Sequence, residues 1–325
     1  VNDWLFSGLE DDIRPRMFAA ADEGLSFALA TIVAADGGPR PVGAQMVVTE
    51  TDSWGFLSGG CIESDVARNG REVIRDGRVR TLIYGKGSPF IDIRLPCGGR
   101  IEVAIERVEP GDPALEELRR CTAGRRSAIW VSDGTNRRCE AREDSAPFAD
   151  GTISRRYDPE QRLVVVGTDP FAMAIAGLGK TIGWQTILLS PFGPSTGHPW
   201  GISHDRRPLR ESMKDLGLDR WTAVAVATHD LEIDQEALAP ALHSRAGYVG
   251  VLGSRRKLDQ RRAGLRDAGV GEADIDRLHA PIGLTIDAHS PWEVAVSVIA
   301  EIIESGRQSM PAQAREMTQG AHVAA

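Results

Sequence analysis

The chain has 325 residues, 42% apolar and 26% charged, with a net charge of −8 and a pI near 5.5. These values fit a soluble globular protein with room for two cores, and they give no electrostatic footing for nucleic acid or an anionic membrane. No apolar run approaches the roughly 20 residues of a spanning helix, Val1-Asn2-Asp3-Trp4 lacks the features of a signal peptide, and four cysteines without a C-x-x-C pair are too few for a disulfide scaffold; the expected location is cytoplasmic.

In chain order, residues 10–24 have the pattern of an amphipathic helix, and 27–35 (FALATIVAA) form a near-continuous apolar run, as a strand buried on both faces does. A Gly/Pro-rich turn containing Arg40 leads to strands at 44–49 and 54–57. The second of these stops at Ser58-Gly59-Gly60, and from Cys61 the spacing of Ile62, Val66, Val73 and Ile74 is helical. Cys61 is thus expected in the first turn of a helix, where the dipole and open N–H groups favour a thiolate and Glu63 and Asp65 oppose it. The competing reading is a small buried residue in a tight turn. Strands follow at 79–84 and 91–95, then the turn Pro96-Cys97-Gly98-Gly99 and an alternating strand at 101–108. Two cysteines beside two Gly-Gly pairs at strand mouths can converge at one end of a single sheet, as thiolate ligands or sulfur carriers, or they are unrelated turns. Cys121 and Cys139 read as structural.

A helix at 112–124 and a hairpin at 127–140 precede a polar stretch, 141–162, that reads as a linker. The domains are therefore expected at 1–158, an α+β cysteine-bearing domain, and 159–325, a Rossmann-like doubly wound parallel sheet with a loose tail. In the second, strands at 163–166, 186–189, 222–228 and 248–252 alternate with helices at 171–181, 234–244 and 255–268, and 291–304 closes the fold.

The first strand-to-helix turn reads Gly167-Thr168-Asp169-Pro170-Phe171-Ala172, with Asp169 where a dinucleotide fingerprint needs its middle glycine. With Leu189-Ser190-Pro191 offering no ribose-binding acid, NAD binding is not expected. His229 closes the strand at 222–228 and either points into the crevice or caps the next turn. Ser254, Arg255, Arg256 and Lys257 open a helix behind Gly253, as a phosphate site or a solvated basic face, and His279 lies in a turn near the same edge. All seven histidines follow residue 197, which argues against a Cys61–His nucleophilic pair.

Taken together, these stretches resemble one family, the XdhC/CoxI-type accessory proteins of molybdenum hydroxylases such as xanthine dehydrogenase. The N-terminal resemblance rests on Ala30-Thr-Ile-Val33, Pro39-Arg-Pro-x-Gly43, Ala44-x-Met46, Leu57-Ser-Gly-Gly-Cys-Ile-Glu63, Tyr84-Gly85 and Cys97-Gly-Gly-x-Ile-Glu-Val103. The C-terminal resemblance rests on Ala227-Thr-His-Asp230, Tyr248-Val-Gly-Val-Leu-Gly-Ser-Arg-Arg-Lys257 and His279-Ala-Pro-Ile-Gly283. It implies a homodimeric chaperone that binds the molybdenum cofactor, assists a cysteine desulfurase in adding the terminal sulfido ligand, and delivers the product to an apo-hydroxylase. The family's cysteines fall on Cys61 and Cys97, the implied molybdenum contacts. Arg40, Ser58, Gly59, Gly60, Glu63, Gly98, Gly99, His229, Ser254, Arg255, Arg256 and His279 are the expected cofactor-binding positions. The turn at Gly167 departs from the family's glycine-rich version, which counts against a nucleotide role. An NAD(P)-dependent oxidoreductase and a non-catalytic scaffold for a hydroxylase are the alternatives.

Overall fold

Phe27 and Leu29 face one side of a strand and Ala28, Ala30 and Ile32 the other, and all five are fully buried. Such a strand needs cover on both faces, and the architecture supplies it. The computed structural model describes residues 11–37, 40–88, 98–142 and 152–308; the expected strand at 91–95 and Cys97 lie outside the described residues. The chain divides into two compact units between Pro159 and Glu160.

The first unit contains, in order, α1 (Arg14–Asp22), β1 (Phe27–Asp36), β2 (Gln45–Val48), β3 (Ser53–Gly55), α2 (Glu63–Asp76), β4 (Arg80–Gly85) and β5 (Arg100–Val108). It continues with α3 (Pro113–Ala123), β6 (Ala128–Ser132), β7 (Arg137–Ala141) and β8 (Ile153–Tyr157). An antiparallel sheet has the order β3-β2-β1-β5-β4, and β7-β6-β8 form a second, smaller one. Helix α2 covers one face of the larger sheet through Val66, Ala67 and Val73, against Ile32, Met46, Val48, Val103 and Ile105. The other face packs Phe27, Leu29, Val47 and Val108 against α1, α3, Trp130 and Tyr157. Each such fully buried aliphatic side chain contributes roughly 1.5–3 kcal/mol. Strand β8 occupies part of the stretch expected to be a linker, because buried Ile153 and Tyr157 lie on one face of it while Arg155 and Arg156 remain only half covered.

In the second unit β9 (Arg162–Val166), α4 (Pro170–Thr181), β10 (Gln185–Leu189), β11 (Ser203–Asp205), α5 (Leu209–Leu216) and β12 (Thr222–Val226) are followed by α6 (Leu231–His243) and β13 (Tyr248–Val251). A 3-10 turn at Arg255–Lys257 precedes α7 (Leu258–Asp267), α8 (Glu272–Ile275), β14 (Leu278–His279) and α9 (Pro291–Gln308). All pairings are parallel, in the order β11-β10-β9-β12-β13-β14. In sequence order that is 3-2-1-4-5-6, the arrangement of a Rossmann sheet, whose reversal point lies between β9 and β12. Val164, Val166, Val224, Val226, Val249 and Val251 meet α5 to α8, whereas Leu163, Val165, Ala223 and Ala225 meet α4 and α9.

Candidate functional site

The registers of the first unit bring the turns at Gly37, Gly85 and Gly99 to one end of the larger sheet. Asp36 pairs with Arg100, Gly85 with Arg100, and Met46 with Gly55. The end of β1, the end of β4 and the start of β5 therefore share one end of the sheet, whereas β3 stops at Gly55, level with Arg80 at the start of β4, and the chain leaves it heading toward that end. Strands β3 and β4 lie at opposite margins, about 19 Å apart at the usual strand spacing. The segment after Gly55 crosses that distance, because Asp65, in the first turn of α2, accepts a 2.7 Å hydrogen bond from the buried Tyr84 hydroxyl on β4. Burial and the Asp65 carboxylate push the Tyr84 phenol up, so it stays a donor. Arg68 pairs with the other oxygen of Asp65. Cys61 sits on this crossing and is exposed.

One carboxylate shapes the crossing. Glu63 Oε1 accepts the N–H groups of Leu57 (3.0 Å), Ser58 (2.6 Å) and Gly59 (3.3 Å). Oε2 accepts Ser58 Oγ (2.9 Å) and the N–H groups of Gly60 (2.9 Å) and Ile62 (3.1 Å). Burial pushes the Glu63 carboxyl up, but the donors from Ser58 and Leu57 outweigh it and hold it below the usual carboxylate range. Curling the backbone around a single acceptor requires Gly59 at φ +109° and Gly60 at φ +100°, where a side chain would be strained.

This geometry corrects two expectations. Helix α2 begins at Glu63, so Cys61 precedes it, and the N–H groups expected to face the sulfur are turned onto a carboxylate. Glu63, expected to contact the cofactor, has both oxygens engaged within its own loop.

Three further expected residues, Arg40, Gly98 and Gly99, lie beside the loop or at this end of the sheet. The Arg40 guanidinium lies 5.5 Å over the Phe56 ring, whose edge would lie 3.8 Å from a Cβ on Gly59. Arg40 pairs with Asp11, and its buried Nε has no hydrogen-bond partner. Gly98 and Gly99 precede β5, with the Gly99 carbonyl accepting Lys86 N–H at 3.3 Å. A Cβ on Gly99 would stand 1.7 Å from the Gly37 carbonyl oxygen, so only glycine fits between the ends of β1 and β5.

In the second unit, the turns after β9, β12 and β13 gather at the carboxyl end of the sheet. Asp169 Oδ1 caps α4 by accepting Ala172 N–H at 2.7 Å, which puts a carboxylate where a pyrophosphate would sit. His229, largely exposed, brings Nε2 to 3.0 Å from Asp169 Oδ2, a close contact without the alignment of a hydrogen bond. The cap of α6 is Asp230, so His229 is left facing the crevice. Ser254 and Arg256 are exposed on the neighbouring turn, and Arg255 opens the 3-10 turn ahead of α7, which begins three residues later than expected.

Beneath these turns lies a buried network. Asp234 accepts Thr228 Oγ1 at 2.5 Å and Arg261 at 3.0 and 2.7 Å, and Arg261 also donates to the Leu252 carbonyl at 3.2 Å. His279, expected near the crevice, is partly buried at the end of β14. Its ring stacks on Tyr248, the first residue of β13, at 4.4 Å, and Nδ1 lies 3.2 Å from Glu301 on α9. That carboxylate also accepts the Tyr248 hydroxyl and, at 2.7 Å, Gly283 N–H.

Asp169 carried a signal that charge alone obscured, since Asp followed by Pro is a helix cap and first-turn pair. Among the described residues, no three His, Cys, Asp or Glu side chains are grouped to hold a metal ion, and no helix is long and apolar enough to cross a membrane.

Comparison with known proteins agrees with this two-unit plan. Residues 20–85 match the model of the XdhC and CoxI family, and residues 163–302 match the XdhC Rossmann domain. The chain is 29% identical over 300 residues to the molybdenum cofactor insertion chaperone PaoD of Escherichia coli, covering 90% of this chain and 89% of that protein. It is 25% identical over 322 residues to a probable xanthine dehydrogenase subunit of Bacillus subtilis, covering 86% and 93%. The fold matches a Bacillus halodurans crystal structure described as a xanthine dehydrogenase, with a TM-score of 0.73 and 22% identity over 94% of this chain and 99% of that one. With both halves matched in order, the chain belongs to the XdhC and CoxI family.

Proposed function

We propose that this protein is a chaperone for the molybdenum cofactor, serving a molybdenum hydroxylase of the xanthine dehydrogenase type. The observation that carries the reading is the exposed Cys61 thiol, held by a Gly-Gly loop that leads into Asp65, which is bonded to Tyr84 beside the Gly98-Gly99 turn. A soft sulfur ligand suits molybdenum, and the name of the PaoD relative supports cofactor insertion as the task. In this reading Cys61, with Cys97, contacts the metal of the cargo. Arg40, stacked on Phe56 beside the loop, offers a guanidinium to an anionic group of the cofactor, and the turn Ser254-Arg255-Arg256 offers a second basic site in the other unit. His229 is the crevice residue available to a ligand there.

The chaperone acts as a cytoplasmic homodimer and holds the cofactor while a cysteine desulfurase supplies sulfur for the terminal sulfido ligand. The Asp169 carboxylate at the start of α4 speaks against NAD as the ligand of the second unit. The test is titration of released molybdenum cofactor onto the protein, beside Cys61→Ala and Cys97→Ala, followed by activation of an apo-hydroxylase. Saturable binding lost in one variant, with activation lost in parallel, supports the reading. Absence of binding by the unaltered protein ends it.

A further inference from the structure

We propose that Glu63 is the positioning residue of Cys61, acting through the backbone on both sides of the thiol rather than by touching cargo. The proposal rests on the reading of Cys61 as a cargo ligand. Its basis is one oxygen. Glu63 Oε2 receives the N–H of Gly60 at 2.9 Å and of Ile62 at 3.1 Å, the residues immediately before and after Cys61. Ser58 Oγ bonds to the same oxygen at 2.9 Å and receives Ile62 N–H at 3.2 Å. The Gly59–Gly60 and Cys61–Ile62 peptide units, one on each side of Cys61, are thereby pinned inward, and the thiol is left exposed. The other oxygen holds Leu57, Ser58 and Gly59, tying the same loop to the end of β3.

The side chain suits this task in length and charge. It reaches back from the first residue of α2 over six preceding positions, and an ionised carboxylate is acceptor-only, so all six contacts have the correct polarity. A glutamine in its place would not match them. A carboxamide presents one acceptor and one donor, so whichever way it lies, its NH2 group opposes N–H donors. With the carbonyl on the Leu57–Gly59 side, the half of the loop that flanks Cys61 is released.

The experiment compares unaltered protein with Glu63→Gln, Cys61→Ala and the double variant, reading amide hydrogen exchange of residues 57–62, melting temperature and binding of released molybdenum cofactor. In Glu63→Gln one half of the loop exchanges faster by about tenfold or more and cofactor binding weakens by about tenfold, at nearly unchanged melting temperature. Because Glu63 acts through Cys61, adding Glu63→Gln to Cys61→Ala weakens binding no further. Ser58→Ala, which removes two of the contacts on the Cys61 side but keeps the carboxylate, moves exchange and binding in the same direction and covers the case in which Glu63→Gln does not fold. Unchanged exchange overturns the proposal. So does faster exchange with intact binding, or an additive loss in the double variant, which would make Glu63 a direct contact. If the unaltered protein binds no cofactor, the chaperone reading and the proposal fall together; binding that survives Glu63→Gln but not Cys61→Ala removes the proposal alone.

Discussion

The buried pair Asp234–Arg261 gives a quantitative test of how the second unit holds its crevice. Asp234 is fully buried, the Arg261 side chain is 4% exposed, and their contact is 2.7 Å. Asp234→Ala would leave a guanidinium in the interior with only the Leu252 carbonyl, and the Thr228 hydroxyl would keep only its longer contact to the Asp230 carbonyl at 3.1 Å. Breaking a buried pair on one side costs about 3–5 kcal/mol. At about 2–4 °C per kcal/mol for a unit of this size, the melting temperature falls by about 6–20 °C. The double change Asp234→Ala, Arg261→Met removes both charges and is expected to cost less than about 2 kcal/mol, since an uncompensated charge rather than lost attraction dominates the single variant. Urea unfolding is followed by tryptophan fluorescence, to which this unit contributes Trp184, Trp200, Trp221 and Trp292, four of the chain's seven. A single variant within about 1 kcal/mol of the original, or a double variant worse than the single, would refute the reasoning.

Other consequences follow from the same contacts. Brief native alkylation at pH 8 followed by peptide mass spectrometry should modify Cys61 and spare Cys121 and Cys139, since burial pushes the Cys139 thiol up to about 12 and the Cys121 thiol up as well; equal rates at the three sites contradict this. Gly99→Ala, with its Cβ overlapping the Gly37 carbonyl, should destabilise by roughly 1–3 kcal/mol. Gly98→Ala at φ +70° meets open space and should cost about 1 kcal/mol; a reversed order in thermal melts would place the β1–β5 junction elsewhere. Stability should be flat near neutrality and fall on acidification. Arg207 holds the Asp205 carboxyl down at about 2, and Glu63 and Glu301, raised by burial but more strongly lowered by their donors, also lie below their ordinary values. Groups depressed on folding stabilise above their unfolded values of 3.8–4.5, and that contribution is lost as pH falls toward about 2. A melting temperature that holds constant from pH 5 to pH 2 would contradict this assignment.

The sequence made the sheets legible where burial is total. Leu163–Val166 and Thr222–Val226 are unbroken apolar runs because helices cover both faces of β9 and β12. It concealed β11 and β14, which are three and two residues long and leave no periodicity, and α5, whose few buried residues lie among charges. The place of Cys61 was readable from the strand and the two glycines. The role of Glu63 was not, because its carboxylate reaches backward over the loop instead of standing on the helix surface, and residue spacing does not encode that reversal. The contacts of His279 were not readable because its partners, Tyr248 and Glu301, are 31 and 22 residues away in sequence.

Backbone donors already taken up by the chain's own carboxylates have a consequence for selectivity. At α4 the first turn that would otherwise attract an oxyanion already holds a carboxylate of the chain, Asp169, and in the other unit the loop N–H groups just ahead of α2 are taken up by Glu63. Inorganic phosphate and free nucleotides, the abundant anions of a cell, are met there by like charge with the attracting dipole already neutralised. Such a protein discriminates by refusal, turning away common phosphates at its two most obvious docking points and leaving a thiol, which phosphate does not ligate, as the accessible handle beside the first.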